Sequence, residues 1–341
     1  MCVAFWTLDH PDYALILCTN RDEFLARPAL AAAFHSFGDT AHPNSDSPVN
    51  SEGSKASVLS GRDTQAGGTW LGLAPQTGRV ALLTNITEPY QRLPSSRGAL
   101  APAFLLGQPS APLEELYPQA SYAGFNLLVL EAEWDEAPPA ESVSISAAAP
   151  TSAVPTRLIH FPHASLVSNN GGGGPLAWRA LRADERASGS LSNGLHVRST
   201  GGEAWPKVVQ GRVLFADAVR AHDEALREDG KKEGDADAAL AHRLFALLRT
   251  TAAEPVRARE ELRRTICVSP LEIPLDGAQP PSSVPALAKD KAYGTRTASV
   301  LLVRRSGEAL FVERDVWRLT SEGVKLDASK FDTTTTTTTP P

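Results

Sequence analysis

The sequence predicts an α+β protein built on antiparallel sheets. Short apolar runs rich in β-branched and aromatic residues recur along the chain, and turn sequences join several of them into hairpins. Segments with apolar residues at helical spacing lie between these runs. Hairpins and isolated strands mixed with several helices are typical of this fold class.

The predicted strands start at the N-terminus. Residues 2–8 and 13–19 form a hairpin around a turn at 9–12, and the second strand ends in the polar run NRDE at 20–23. The later strands cover residues 69–74, 79–85, 124–130, 297–303 and 308–313. Pro75 to Gly78 and Ser306-Gly307 supply two further hairpin turns.

The predicted helices fall between these strands. One covers residues 97–106, and a second covers 175–188 with Pro175 in its first turn. A third begins near Pro206 and continues through Val219 and Leu226, and a fourth covers 237–250, which is rich in Ala and Leu.

The chain predicts one domain over residues 1–331, since no clean boundary interrupts it. Surface insertions are expected where Ser, Pro, Gly or charged residues concentrate, near 40–60, 134–156, 227–236 and 274–292. Residues 332–341 are a Thr/Pro tail of low complexity, for which we expect disorder.

Composition and charge narrow the function classes. The 341 residues suffice for a large core, and the formal charge of −6 gives no electrostatic reason for a nucleic-acid or anionic-membrane partner. No apolar run approaches the ~20 residues that span a bilayer, and the N-terminus does not read as a signal peptide. Cys2, Cys18 and Cys267 cannot form a disulfide framework. We therefore expect a reducing compartment, either the cytoplasm or an organelle matrix.

Cys2 is the most informative residue. Methionine aminopeptidase normally removes Met1 before a residue this small, which would leave a thiol and a free α-amine on the same residue. An α-amine titrates at roughly 7.7–8.0 and can take the thiol proton near neutral pH. A strand that begins at such a residue and leads into a polar hairpin end is typical of an N-terminal-nucleophile (Ntn) hydrolase. Many proteins also carry an unused Cys near the start.

A series of short motifs resembles the NRDE proteins, also called the transport and Golgi organization protein 2 family. No single motif is specific to this family, but the order of all the motifs from residue 2 to 314 is specific to it. The motifs are MC at 1–2, TNRDEF at 19–24, RP at 27–28, GRD at 61–63, GGTWLG at 67–72, LTN at 83–85, SRG at 96–98, GFNL at 124–127, LSN at 191–193, WPKV at 205–208, YGTR at 293–296 and FVER at 311–314.

The family in turn resembles the Ntn superfamily, nearest to penicillin V acylases and bile salt hydrolases. This resemblance implies a four-layer αββα sandwich with two antiparallel sheets between helical layers. It also implies a catalytic set. Cys2 would be the nucleophile, Arg21 would stabilise its thiolate, and Asp22 would hold the α-ammonium. Asn85 and Asn193 would supply oxyanion or amine contacts, and Arg296 would complete the pocket.

Each of these residues also has a structural interpretation. Arg21 and Asp22 would form a plain ion pair at a strand end, and Asn85 and Asn193 would be turn residues that bond their own backbone. Arg296 would be a surface residue on an edge strand; Thr297 and Ala298 follow it where a more regular step is expected, so its register is open.

Two main functions follow from the resemblance. One is a transport and Golgi organization protein 2-like role in Golgi organisation, secretion and haem or lipid homeostasis, with haem as a transported ligand and an association with Golgi or mitochondria. The other is a cysteine hydrolase of a small acyl amide or thioester, which requires no cofactor. The ligand is accordingly a small acyl or haem-like molecule. A third interpretation, a structural interaction module, rests on the Pro-rich insertions and the Thr tail. The eight histidines form no metal signature, and His10, Cys18 and His35 are unspecific candidates for a haem ligand.

Overall fold

The computed structural model describes residues 1–37, 57–89, 93–107, 122–135, 157–194, 204–229, 233–273, 291–320, 323–326 and 336–338. Two large antiparallel sheets dominate these ranges. Each sheet contains seven strands, and in the second sheet neighbouring strands are also consecutive in the chain.

From one edge to the other, the strands of the first sheet are β10 Gly189–Leu191, β1 Val3–Thr7, β2 Tyr13–Phe24, β12 Ala292–Arg304, β13 Ala309–Asp315 and β16 Thr336–Thr338, with β11 Leu271–Glu272 beside β12. The second sheet contains β3 Ala29–His35, β4 Val58–Asp63, β5 Leu71–Ala74, β6 Arg79–Asn85, β7 Phe125–Trp134, β8 Ile159–Ser168 and β9 Ala177–Ala180. A separate hairpin joins β14 Trp317–Thr320 to β15 Gly323–Leu326.

The helices are α1 Leu100–Leu106, α2 Ala183–Ala187, α3 Pro206–Asp229 and α4 Glu233–Leu248, with short 3-10 turns at Pro75–Thr77, Arg97–Ala99 and Arg259–Arg264. No helix in the described ranges combines the length and the apolar character that a bilayer crossing requires.

Alternating side chains bury both faces of the first sheet. On β2, Leu15 and Leu17 point into the core between the sheets, whereas Ile16 and Cys18 pack beneath α3 and α4. Because successive strand residues point to opposite faces, a strand covered on both sides reads as a continuous apolar run. Helix α1 covers the outer face of the second sheet through Phe104 and its neighbours. The order of layers is therefore helix, sheet, sheet, helix, which confirms the αββα prediction.

Two strands extend beyond their predicted ends. Strand β2 runs through the whole NRDE segment to Phe24, and β12 begins at Ala292, so Arg296 lies within the strand and does not open it. Asp22 pairs with Thr295 and Phe24 with Tyr293. The hydrogen bonds between neighbouring strands join only backbone groups. The two strands therefore stay paired where their side chains become polar.

The predicted helix over 175–188 is wrong. Ala177–Ala180 pair with β8 as an edge strand, and only Ala183–Ala187 are helical. The predicted loop at 227–236 is also wrong over most of its length, because α3 reaches Asp229 and α4 begins at Glu233.

The other expected insertions fall mainly outside the described residues. The end of the 40–60 segment belongs to β4, and Trp134 and Ala292 belong to β7 and β12. In the tail, Thr336–Thr338 pair with Ala309–Phe311, contrary to the disorder expected there. The remainder of 40–60, 134–156, 274–292 and 332–341 lies outside the described ranges, apart from residues 57 and 135 and the turn residue 291.

Candidate active site

The first hairpin places Cys2 beside the polar end of β2. Val3 pairs with Asn20 across β1 and β2, so Cys2, which precedes Val3, reaches the level of Arg21. On its other side β2 pairs with β12, where Asp22 is opposite Thr295. The NRDE segment therefore lies in the middle of the sheet, and its alternate side chains point to opposite faces.

Cys2 lies on the wall of a cavity of about 140 Å³. Guanidinium, carboxylate, amide and hydroxyl groups make up most of the lining, which also includes an indole ring. The lining residues are Cys2, Arg21, Asp22, Glu23, Arg27, Asp63, Ala66, Thr69, Trp70, Leu83, Asn85, Ser96, Arg97 and Gly98. Of the predicted set, the fold thus brings Cys2, Arg21, Asp22 and Asn85 together.

Asp22 binds the α-amine of residue 1. Its Oδ2 lies 3.0 Å from the Met1 nitrogen, and its Oδ1 accepts a 2.6 Å hydrogen bond from Thr295 Oγ1. The same amine donates to the Tyr293 hydroxyl. Burial lowers the pKa of this amine, while the Asp22 carboxylate acts in the opposite direction. An ammonium-binding carboxylate was predicted here for the amine of Cys2, and in this structure the amine that it binds belongs to Met1.

The Met1 side chain is buried in an apolar cluster next to the amine site. Its buried neighbours in the cluster are Leu262, Val268 and Ile273. The residue before the thiol is therefore fixed at both its amine and its thioether.

Lys207 is a further site residue, to which the sequence analysis gave no role. Its side chain is fully buried, and Nζ donates to the carbonyl oxygens of Met1 at 2.7 Å and Cys2 at 3.4 Å. Ser192 Oγ also donates to the Cys2 carbonyl, at 2.8 Å. Burial lowers the pKa of Lys207. The WPKV motif contains Lys207 and could have indicated a role for it, but a lysine in the first turn of a helix usually faces solvent.

The thiol of Cys2 is not activated in this form of the chain. Burial raises its pKa, and the nearby amine, a hydrogen bond from the Asp22 backbone and the Arg21 charge oppose that change without cancelling it. The prediction that Arg21 stabilises the thiolate thus has the right sign, but desolvation is the larger effect while Met1 is present.

Arg21 stacks on Trp70, with its guanidinium carbon 4.2 Å from the ring centroid. Its Nη2 lies 3.5 Å from Asp63 Oδ2, which also accepts a 2.6 Å hydrogen bond from Arg27 Nε. Glu23 lies 3.8 Å from the same Arg27 atom. Asp63, Arg27 and Glu23 are thus site residues that the catalytic prediction omitted, although the RP and GRD motifs contain two of them.

Asn193 and Arg296 take other positions. Asn193 lies outside the cavity lining, and its Nδ2 donates to the Asn85 backbone carbonyl at 2.5 Å, which ties the segment after β10 to the end of β6. Arg296 is also absent from the lining and donates from Nη1 to the Leu25 carbonyl at 2.6 Å. An oxyanion role for Asn193 and a pocket role for Arg296 therefore have no support from their contacts in this structure.

The described part of the chain contains no group of three or more His, Cys, Asp or Glu side chains that could hold a metal ion. The candidate chemistry rests on a thiol, an amine and the charged groups around them.

Comparison with known proteins decides the family. The family model described as Transport and Golgi organisation 2 matches residues 1–318. The chain belongs to this family. The Transport and Golgi organization protein 2 homolog of Bos taurus is similar to it at 28% identity over 347 residues, covering 98% of each chain. The Mus musculus homolog is 36% identical over 106 residues, which cover 29% of this chain and 32% of the mouse protein.

Among solved structures, the chain is similar to the Caenorhabditis elegans N-acylethanolamine-hydrolyzing acid amidase ortholog. The TM-score is 0.36 at 9% identity, with 89% of this chain and 92% of that chain covered. A likeness at this score carries no argument about activity. For this member of the Transport and Golgi organisation 2 family, function has to be argued from the site itself.

Proposed function

We propose that the chain is a cysteine Ntn hydrolase that cleaves a small acyl amide or thioester. The observation that supports this is the position of Cys2 on the wall of a polar cavity, next to a carboxylate that binds the α-amine of residue 1. Nucleophile, base and the group that holds the base are the three parts that a self-activated thiol requires.

The reactive form in this proposal begins at Cys2. Removal of Met1 converts the amide nitrogen of Cys2 into a free amine, in a region that already contains Asp22 and Lys207. In the chain that retains Met1, burial lowers the pKa of the α-amine, the Asp22 carboxylate raises it, and the Lys207 cation lowers it. An α-amine of ordinary pKa can accept a proton near neutral pH, and in this proposal the Cys2 amine does so.

The chemistry then follows in balanced steps. The Cys2 thiol adds to the acyl carbon while its proton passes to the Cys2 amine, and the Asn85 amide faces the cavity as a candidate donor to the oxyanion. The protonated amine returns the proton to the leaving amine or thiol, and a thioester on Cys2 remains. Water adds to that thioester with the same amine as base, which releases the acid and the free thiol.

The test is acyl transfer by purified protein whose N-terminal peptide has been identified by mass. With short acyl p-nitroanilides and acyl thioesters, we expect turnover together with an acyl mass on the Cys2 peptide. Cys2→Ala should abolish both signals, whereas Cys18→Ala, which alters a buried core thiol, should retain them. Turnover by Cys2→Ala, or a mature protein that keeps Met1, would refute the proposal.

We also propose a second function, carriage of haem or a lipid acyl group, in line with roles in Golgi organisation, secretion and haem or lipid homeostasis. A specific observation favours the acyl ligand: a second cavity of about 250 Å³, lined mainly by apolar side chains such as Leu73, Trp134 and Phe161. A carrier should bind one equivalent without turnover. Calorimetric titration of a short fatty acid should saturate at a 1:1 ratio, and Phe161→Asp should weaken that binding; binding that never saturates would exclude carriage of an acyl group in this cavity.

A further inference from the structure

The arginines beside Cys2 define which acyl groups fit the site. We propose that the Cys2 cavity recognises a short acyl group that carries a carboxylate, and that Arg21 and Arg97 bind this carboxylate. The inference rests on the proposed hydrolase, because it specifies the substrate of that same thiol, but the binding that it predicts can be measured without turnover.

The charges around the cavity are unbalanced. Three guanidinium groups, those of Arg21, Arg27 and Arg97, line it together with the carboxylates of Asp22, Glu23 and Asp63. Asp22 is paired with the α-amine, so within the lining two carboxylates remain for three guanidinium groups, although the Glu88 carboxylate outside the lining also acts on Arg97. An anionic group on the ligand would restore the balance.

Arg27 takes up both of these carboxylates. It lies 2.6 Å from Asp63 and 3.8 Å from Glu23, whereas Arg21 reaches Asp63 only at 3.5 Å. Among the described residues, no carboxylate lies within 4.0 Å of Arg97.

Arg21 has unused hydrogen-bonding capacity. The residue is only 5% exposed, and its Nη1 is buried without a hydrogen-bond partner among the described residues. A buried charged donor that lacks a partner is unfavourable, and a carboxylate bound beside it would offset that cost. Stacking on Trp70 fixes the plane of this guanidinium at the cavity wall.

A hydrogen bond to a backbone carbonyl holds Arg97 in place. Its Nη1 donates to the Gly124 carbonyl at 3.0 Å, and the 3-10 turn that carries it packs against the glycine loop before β5. A Cβ on Gly68 would lie 1.9 Å from the Gly98 carbonyl oxygen, so the two loops are in backbone contact. A backbone carbonyl therefore holds Arg97, and the Glu88 carboxylate acts on it from beyond ion-pair distance.

The size of the cavity limits the acyl chain. A volume of about 140 Å³ equals that of roughly five liquid water molecules. Pockets for drug-sized ligands are larger, about 300–1,000 Å³. A four-carbon acyl group that ends in a carboxylate matches this volume and the charge of the arginines.

The test compares two ligands that differ in a single group. Succinamate carries an amide at one end and a carboxylate at the other, and succinamide replaces the carboxylate with a neutral amide of the same shape. Calorimetric titration of Cys2→Ala, which lacks the proposed nucleophile and so binds without turnover, should give about tenfold tighter binding of succinamate, as expected for charge-assisted hydrogen bonds. The preference should decrease with added salt.

Substitutions of the arginines in Cys2→Ala show which side chains cause the preference for succinamate over succinamide. Arg97→Met should bind the two ligands equally, and Arg97→Lys, which keeps the charge but loses the planar fork, should keep part of the preference. Arg220→Met, a change on the exposed face of α3, is the matched control and should behave as Cys2→Ala alone.

Three outcomes would overturn the inference. They are equal binding of both ligands by Cys2→Ala, no binding of either ligand, and a preference that persists when either Arg97→Met or Arg21→Met is added to Cys2→Ala. A release assay for succinate with the wild-type protein separates this inference from the proposed function. Selective binding without release supports the carboxylate site and contradicts the hydrolase, whereas release without selectivity does the reverse.

Discussion

The Asp22 carboxylate shows how one residue determines the state of the site. It lies between the amine of residue 1 and the Thr295 hydroxyl, and its side chain is fully buried. A buried carboxylate is tolerated only when a cation and hydrogen bonds compensate for its lost hydration. The position of the chain terminus is therefore coupled to the charge of this one residue.

Asp22→Asn tests this coupling. The substitution keeps the shape but removes the charge, so the buried ammonium loses its counterion, and we expect the free energy of unfolding to fall by about 3 kcal/mol. Asp12→Asn changes an exposed carboxylate and should stay within about 0.5 kcal/mol of wild type. Urea denaturation of both variants measures the difference. Equal stability of the two variants would mean that no such pair forms.

At the scale of elements, loops from different parts of the chain build the cavity wall. The glycine loop before β5 and the 3-10 turn before α1 approach each other so closely that the Thr69 amide donates to the Gly98 carbonyl. Only a residue without a side chain fits at Gly68, because a Cβ there would overlap the Gly98 backbone. The GGTW and SRG motifs are distant in sequence but contact each other in the fold.

Gly68→Ala should break that contact. Overpacking against backbone typically costs about 1–3 kcal/mol, and we expect a loss in this range together with weaker succinamate binding as Arg97 is displaced. Gly98→Ala is the matched control, since its Cβ would come no closer than 3.4 Å to another atom and should cost less than about 1 kcal/mol. A Gly68→Ala protein with wild-type stability and binding would show that the loops are not in contact.

At the scale of the whole molecule, Glu313 links the two sheets. It belongs to β13 of the first sheet, and its Oε1 accepts a 2.9 Å hydrogen bond from the Ala32 amide on β3 of the second sheet. Ser299 Oγ lies 3.3 Å from its Oε2. Burial raises the pKa of Glu313 to about 7, so the folded protein binds a proton there more tightly than the unfolded chain does.

This shift makes stability depend on pH in a defined direction. A carboxyl with a raised pKa stabilises the fold while it is protonated, so the free energy of unfolding should fall as pH rises from about 4.5 to about 7 and change little above that. The loss is of order 3 kcal/mol. Glu313→Gln should remove this contribution, while the exposed Glu308→Gln should retain it. Urea titrations at pH 5 and pH 8 would contradict the prediction if both variants showed the same dependence.

Local sequence was sufficient for much of the fold and for part of the site. Strand β1 and helix α3 were predicted nearly to their ends, because apolar spacing and proline position act over a few residues. Cys2, Arg21, Asp22 and Asn85 share one cavity, as the motifs suggested. Edge strands such as Ala177–Ala180 were missed, since their pairing depends on a neighbouring strand and not on their own apolar content.

The sequence by itself determined the family, the αββα class and the presence of a thiol at the second residue, because these are set by motif order, local spacing and residue identity. Only the tertiary structure decided that Lys207 is buried against the carbonyls of residues 1 and 2, that Arg296 bonds Leu25 away from the cavity, and that Arg97 faces the same space as Cys2. The physical reason is that these contacts join residues about 95 to 270 positions apart in the chain, and burial and charge pairing over such separations exist only once the sheets have packed.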